Sequence, residues 1–410
     1  MVSTSASTPT ASPLAIEHPL RNPKYRLWLI GGTISFFGDQ FYMVALPWLI
    51  LQQTGSAVAM GAVLMAGSIP RAVLMLLGGV LSDRMSPRKI MMTTATARTI
   101  CVAAVGILVW FHVLHMWELY VLAILFGLAD AFALPAQTAY LPFLLHPEQL
   151  VAASSIGQST AQLTTIIGPV PAGFVIKKLG IAWAFFVDAI SFLFIIGALW
   201  KLPDPPGSAA ARKSVLPAIA EGLVYVGRDI PLRSLMLLTM IMNFCFAGPV
   251  SIGLTYLAKT RFGSPAILGT LLSAIAAGSL LGALLAGVWK IRRRGILIPL
   301  VAAAFAPCLG SIGFMSRVWP LAGVLFTIGV LAALMNVHVS AWIMQRIDAD
   351  VRGRVSSVLM LASYALMPVS FAVAGFLIAW NLKSTFLLAG LAMLLTAAGA
   401  SLQKSVRGIE

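Results

Sequence analysis

Gly79-Val80-Leu81-Ser82-Asp83-Arg84-Met85-Ser86-Pro87-Arg88-Lys89 is a short charged turn between two long apolar runs. Upstream, residues 57–81 carry one charge, Arg71; downstream, residues 90–110 are interrupted only by Arg98. A run of about 20 apolar residues crosses the hydrocarbon core of a bilayer as a helix. The turn therefore lies at a membrane surface, where few multi-span architectures need a Gly, an Asp and several cations together.

Composition agrees with that reading along the whole chain. Of 410 residues, 59% are hydrophobic and 10% charged, against about 45–50% and 25% in a soluble domain. No water-soluble fold hides so much apolar surface, so the solvent is lipid. The 35 glycines and 23 prolines are at home in membrane helices. The apolar runs are far longer than a barrel strand and lack its alternation, which leaves helices as the spanning element.

A formal charge of +15 would by itself fit a nucleic-acid partner, but its placement excludes one. Twenty of the 28 Lys and Arg fall on one set of alternating loops, around Arg21, Arg88, Arg228, Lys290, Arg352 and Lys404. The opposite loops hold six, among them Lys177, Lys259 and Lys383. Cytoplasmic loops retain excess cations, so both termini are expected inside, with some charge available to anionic lipid. Residues 1–23, rich in Ser, Thr, Ala and Pro, have no signal-peptide core and read as a flexible cytoplasmic tail. Cys101, Cys245 and Cys308 all fall in apolar spans, an odd set that implies no disulfide framework and suits small core residues.

Twelve spans fit: 27–51, 57–81, 90–110, 119–140, 153–176, 183–200, 234–257, 266–289, 296–315, 321–344, 355–379 and 385–402. They divide into bundles of six at 24–200 and 234–403, with a second short tail at 404–410. Between the bundles, residues 201–233 open with Pro203-Asp204-Pro205-Pro206-Gly207. The apolar spacing of Val215, Ile219, Gly222, Leu223 and Val226 then predicts an amphipathic helix on the inner membrane face. The halves echo each other: Gly287 recurs 208 residues after Gly79, again ahead of a basic turn, Lys290 to Arg294. Six plus six spans with an internal repeat is the plan of a secondary transporter whose site lies between the halves.

The 79–89 turn resembles the loop motif of the major facilitator superfamily, G-x-L-A-D-R-x-G-R-K. Ser82 stands for Ala, Ser86 for the second Gly and Pro87 for a basic residue. Gly38-Asp39, Leu134-Pro135-Ala136, Tyr140-Leu141-Pro142, Gly168-Pro169, Asp188-Ala189-Ile190-Ser191-Phe192 and Arg352-Gly353-Arg354-Val355-Ser356 are similar to the branch of enterobactin and macrolide exporters. The resemblance covers roughly residues 25–402. It implies twelve helices in two pseudo-symmetric six-helix bundles, the major facilitator fold, working by alternating access. It also implies a gating loop of Gly79, Asp83, Arg84, Arg88 and Arg98, with Asp83 pinning the outward-open form as an acid–base latch. A static surface ion cluster is the alternative.

Intramembrane charges are costly and rarely face lipid. Asp39 is about 18 Å in from the inner end of its span at 1.5 Å per residue; Arg71 and Asp130 fall at similar depth, and Asp188 nearer the outer end. Asp39, Arg71 and Asp130 are the proton-coupling candidates, because burial favours a neutral carboxyl and a neighbouring guanidinium an ionised one. A permanent structural pair is the other reading. Gln158, Gln162 and Thr165 share a face of the fifth span suited to a wet cavity. With Phe36, Phe37, Tyr42, Tyr140, Asn243, Phe244, Asn336 and Trp342 they are candidates to meet a large, mostly apolar solute; core packing is the alternative for each.

His112, His115 and Glu118 have metal-like spacing but lie in a short outer loop among tryptophans, so no metal site is expected. Phosphate-binding and nucleophile motifs are missing, and no enzyme is expected. The sequence is thus read as a monomeric, multi-pass transporter of the cytoplasmic membrane with no cofactor beyond a proton gradient. Its expected task is proton-coupled efflux of a hydrophobic or amphipathic small molecule such as a drug or siderophore. Lysolipid flipping or import, and a membrane-embedded sensor or enzyme, are the alternatives.

Overall fold

The computed structural model describes residues 18–84, 86–205, 215–289, 294–347 and 352–403. The helices are α1 (Pro23–Thr54), α2 (Ala57–Arg84), α3 (Pro87–Trp110), α4 (Met116–Leu144), α5 (Leu150–Ile167), α6 (Pro169–Leu179), α7 (Ile181–Lys201) and α8 (Val215–Arg228). They continue as α9 (Ile230–Thr260), α10 (Pro265–Val288), α11 (Arg294–Ser311), α12 (Val318–Arg346), α13 (Arg352–Ala365), α14 (Met367–Trp380) and α15 (Leu382–Leu402). Among the described residues, twelve spans are long and apolar enough to cross a membrane. α5 and α6 share the fifth, and α14 with the end of α13 forms the eleventh.

Helix starts follow from local chemistry. Asn22 caps α1 by accepting from Lys24 N at 2.9 Å and Tyr25 N at 3.3 Å, with Pro23 in the first helical position, where its missing N–H costs nothing. Asp229 does the same for α9, accepting from Leu232 N at 3.0 Å. That cap starts the seventh span at Ile230, four residues ahead of the apolar run that marked it in the sequence. The predicted linker helix is α8; residues 1–17, 206–214 and 404–410, read as tails and linker, lie outside the described residues.

Within the first half α1 packs on α7, α3 on α7 and α4, and α2 on α4; within the second α10 packs on α12, α11 on α12 and α15, and α9 on α14. The 208-residue repeat reappears as backbone contact. A Cβ on Gly127 of α4 would overlap the carbonyl oxygen of Gly67 in α2, and one on Gly329 of α12 would overlap that of Ile275 in α10. Ile275 is 208 residues after Gly67. Small residues bring helix backbones together where lipid gives no hydrophobic drive.

The two halves meet on the same device. A Cβ on Gly61 of α2 would lie 2.5 Å from Phe371 O in α14, and one on Gly375 2.8 Å from Ala57 O. Their repeat mates are Gly269 of α10 and Gly173 of α6, where a Cβ would overlap Pro169 O and Pro265 O. Gly269 again follows Gly61 by 208 residues. All four approaches lie in the halves of the helices remote from the chain termini, here termed the far face. Lys259 of α9, whose Nζ is 5.9 Å from the Trp48 ring centroid of α1, spans the halves at the same level. At the termini face, Arg88 and Arg346 bond within their own halves, to the end of α7 and to Asp229. The far face is therefore closed among the described residues.

Spans five and eleven are both broken. At Gly168-Pro169 and Met367-Pro368 the prolines remove ladder N–H groups. Gly168 is required for a second reason: a Cβ there would sit 2.5 Å from Gln40 Cγ of α1. The far-face pieces α6 and α14 make the larger contacts with the opposite half, on α10 and α2.

Candidate functional site

Buried charges concentrate in the first half. Arg98, about 16 Å into α3, is only 10% exposed, and its Nη2 is 2.5 Å from Asp39 Oδ1. Its Nη1 is 3.6 Å from Asp130 Oδ1. The guanidinium lies between two rings, 4.8 Å from the Phe126 centroid and 4.4 Å from that of Phe192. Desolvated guanidinium is well served by a carboxylate on its edge and aromatic faces above and below. The other Asp130 oxygen receives Arg71 Nη1 at 3.0 Å. Arg71, 39% exposed, faces the Tyr364 ring of α13 at 5.3 Å. The result is a chain, Asp39–Arg98–Asp130–Arg71–Tyr364, leading from the interior of one bundle to the surface of the other.

The sequence grouped Arg98 with the 79–89 turn; in the structure its described partners are the mid-membrane acids instead. Arg88, also grouped there, caps α7: its Nε donates to Leu199 O at 2.7 Å and its Nη2 to Trp200 O at 3.1 Å, where the helix dipole favours a cation. Lys89 is 3.9 Å from Asp204, which also pairs with Ser86. Gly79, Asp83 and Arg84 fall within α2, but their side chains lie outside the described residues, so the proposed Asp83 latch does too.

Three cavity candidates are committed elsewhere. Tyr140 is fully buried and donates to Pro203 O at 2.8 Å, holding the start of the linker. Trp342 is buried beneath Arg346, 5.2 Å away, which in turn binds Asp229 at 2.8 Å on the termini face. Tyr42 stacks on Phe126 at 4.4 Å and meets Phe185 edge-on, inside the first bundle. Gln162 does reach across, donating to Ala276 O of α10 at 3.1 Å. Phe36, Gln158 and Asn336 are exposed; Phe37, Asn243 and Phe244 are half-buried. Phe37 packs edge-on against Phe41, Asn336 accepts from Ser340, and the Phe244 carbonyl accepts from Ser370 Oγ at 2.6 Å.

His115 and Glu118 form a helix cap, Glu118 Oε2 accepting from His115 N at 2.8 Å. Among the described residues no group of His, Cys, Asp and Glu is arranged to hold a metal. The residues that sequence reasoning missed are Tyr364, whose ring meets Arg71, and the rings of Phe126 and Phe192. Phe192 stands one helical turn from Asp188, a spacing that was available as a signal.

Comparison with known proteins agrees with this architecture. The family model described as Major Facilitator Superfamily matches residues 28–366. The chain is 30% identical over 391 residues to the multidrug efflux pump Tap of Mycolicibacterium fortuitum, covering 90% of this chain and 93% of that one. It is 23% identical over 356 residues to macrolide efflux protein A of Streptococcus pyogenes, covering 84% and 86%. Among solved structures, a mutant of the nucleoside transporter NupG superposes with a TM-score of 0.78 at 12% identity, covering 92% and 98%. A bacterial homologue of the lysosomal transporter Spinster, in an inward-facing unoccupied conformation, gives 0.72 at 14%, covering 96% and 98%.

Proposed function

Since this chain belongs to the Major Facilitator Superfamily, we propose that it exports an amphipathic small molecule from the cytoplasm in exchange for protons. It is a multi-pass membrane transporter, not an enzyme. The observation that carries the proposal is the charge chain around Arg98. Two acids and two guanidiniums at membrane depth are expensive, and this chain ends at the surface between the halves, where a transporter's solute binds.

Asp39 takes part in the coupling, and Asp130, paired with both Arg98 and Arg71, anchors the guanidiniums. A carboxylate held by Arg98 stays ionised; one moved away from the guanidinium and from water holds a proton. Rocking of one bundle against the other changes those distances, so conformation and proton occupancy are linked. The cation-rich loops support termini on the cytoplasmic side; with that orientation a closed far face corresponds to an inward-facing state, and the protein is read as a monomer of the cytoplasmic membrane. Arg71, Tyr364, Gln158, Gln162, Asn243 and Asn336 offer a few polar groups in a mainly apolar passage, as a drug-sized solute requires. The relatives named as multidrug and macrolide efflux proteins support export and this solute class.

The test is transport by the purified protein in proteoliposomes, using a macrolide and an amphipathic dye with and without an imposed pH gradient. Gradient-stimulated movement is expected, with the stimulation lost in Asp39→Asn. A protein that moves no solute under any gradient refutes the proposal.

A further inference from the structure

Asp188 of α7 stands beside this chain and belongs to it. It is 0% exposed. Among the described residues five buried side-chain polar atoms have no hydrogen-bond partner, and three of them are Arg98 Nε and the two carboxyl oxygens of Asp188. The Ser191 hydroxyl donates to the main-chain carbonyl of Asp188 at 2.7 Å. A Cβ on Gly38 would approach Asp188 Oδ1 to 2.9 Å, so α1 presses on α7 next to Asp39. An unpaired acid and an unused guanidinium donor thus lie in one aromatic-walled space, with Phe192 over Arg98 one turn along from Asp188.

Charge balance identifies the state of that acid. Arg71 and Arg98 supply two positive charges, and Asp39 and Asp130, both paired, supply two negative ones. A third carboxylate whose oxygens meet no ion-pair partner among the described residues is far costlier to bury than a neutral carboxyl. We propose that Asp188 is the proton-carrying acid of the cluster, and that Arg98 is shared between two acids, Asp39 in this state and Asp188 in the other. The proposal rests on the reading of the protein as a proton-coupled transporter.

The exchange balances. When α7 shifts so that the Asp188 carboxyl reaches Arg98 Nε, its O–H bond breaks and the proton leaves to water on the open side. The carboxylate formed accepts from Nε. Asp39, released from the guanidinium, binds a proton from the water of the opposite face. One proton is lost and one gained, so the cluster is neutral in both end states. The groups that act on Asp188 are Asp39 and Tyr42 from α1, Arg98 from α3 and Ser191 on its own helix, while Cys101 of α3 and Asp130 of α4 lie beyond them, around Tyr42. α6, which also packs on α7, brings only Lys177 and Lys178, both exposed at its far-face end.

Infrared spectroscopy of the protein in lipid vesicles at neutral pH tests this. The wild type is expected to show the C=O stretch of one protonated, slowly exchanging carboxylic acid. Asp188→Asn removes the band, and Asp188→Glu shifts it, whereas Asp39→Glu and Asp130→Glu leave its position unchanged. Asn is close in shape to a neutral carboxyl, so Asp188→Asn should fold; it is expected to lose pH-gradient stimulation while retaining downhill solute movement. No such band in the wild type, or a band shifted by Asp39→Glu and not by Asp188→Glu, overturns the assignment. A wild type that carries the Asp188 band yet moves solute indifferently to the gradient overturns proton-coupled export and the carrier role, while the location of the proton stands.

Discussion

Replacing Arg98 by methionine is expected to abolish gradient-driven transport and to destabilise the protein by about 3–5 kcal/mol, the cost of leaving a buried charge without its partner. Arg98 is 10% exposed and bridges Asp39 and Asp130 between two phenyl rings. Methionine fills the aromatic slot but supplies no positive charge, so Asp39 loses its sole described ion-pair partner while Asp130 keeps Arg71. Arg98→Met combined with Asp39→Asn removes both charges, and most of the stability should return because a neutral pair needs no counter-ion. Transport should not return, since no guanidinium remains to be exchanged. Thermal unfolding in detergent and solute flux in proteoliposomes separate the two effects. An Arg98→Met protein with wild-type stability and intact gradient-driven flux would show that the ion pair is incidental.

Much of this was legible in the sequence, and the gaps have physical causes. Apolar run length and the placement of Lys and Arg mark the spans because a bilayer admits only continuous apolar helices. The 208-residue echo of Gly79 and Gly287 found its structural counterpart elsewhere in the same helices, at Gly61 and Gly269. Arg98 was legible in principle: Thr94, Ala95, Cys101, Val102 and Val105 around it are all buried, so a helical wheel puts it on the inward face. Proximity along the chain to Arg88 and Lys89 drew it instead toward the turn. Core packing was an open reading for Tyr140 and Trp342, but their partners were not legible, because Pro203 O and the Arg346–Asp229 pair are brought to them by tertiary packing. The pairing of Arg71 with Tyr364 depends on how the halves are seated, which no local pattern encodes.

The seating of the halves gives the second large effect. Gly269→Val is expected to open the far face and cut transport at least fivefold. Its Cβ would overlap the carbonyl oxygen of Pro169, a backbone atom of a helix that cannot turn aside as a side chain would. Overpacking a close contact costs about 1–3 kcal/mol, a change of roughly five- to 150-fold in the closed-to-open ratio. Gly61→Val should act alike at the repeat-related contact, where the added Cβ meets Phe371 O at 2.5 Å. Gly323→Val, with open space around the glycine, serves as the control. Distances between spin labels at the far-face ends of α6 and α10 should lengthen in Gly269→Val and stay at the wild-type value in the control. Unchanged distances in Gly269→Val would mean that these glycines do not set the closed face.

A cluster that exchanges Arg98 between carboxyls must tie solute movement to proton movement. Simultaneous recording of solute flux and internal pH in proteoliposomes, for the wild type and Asp39→Asn, decides the matter. The wild type should drive protons in the direction opposite to the solute, in a fixed ratio, and Asp39→Asn should break that ratio. Solute flux in the wild type with no accompanying proton movement would contradict it.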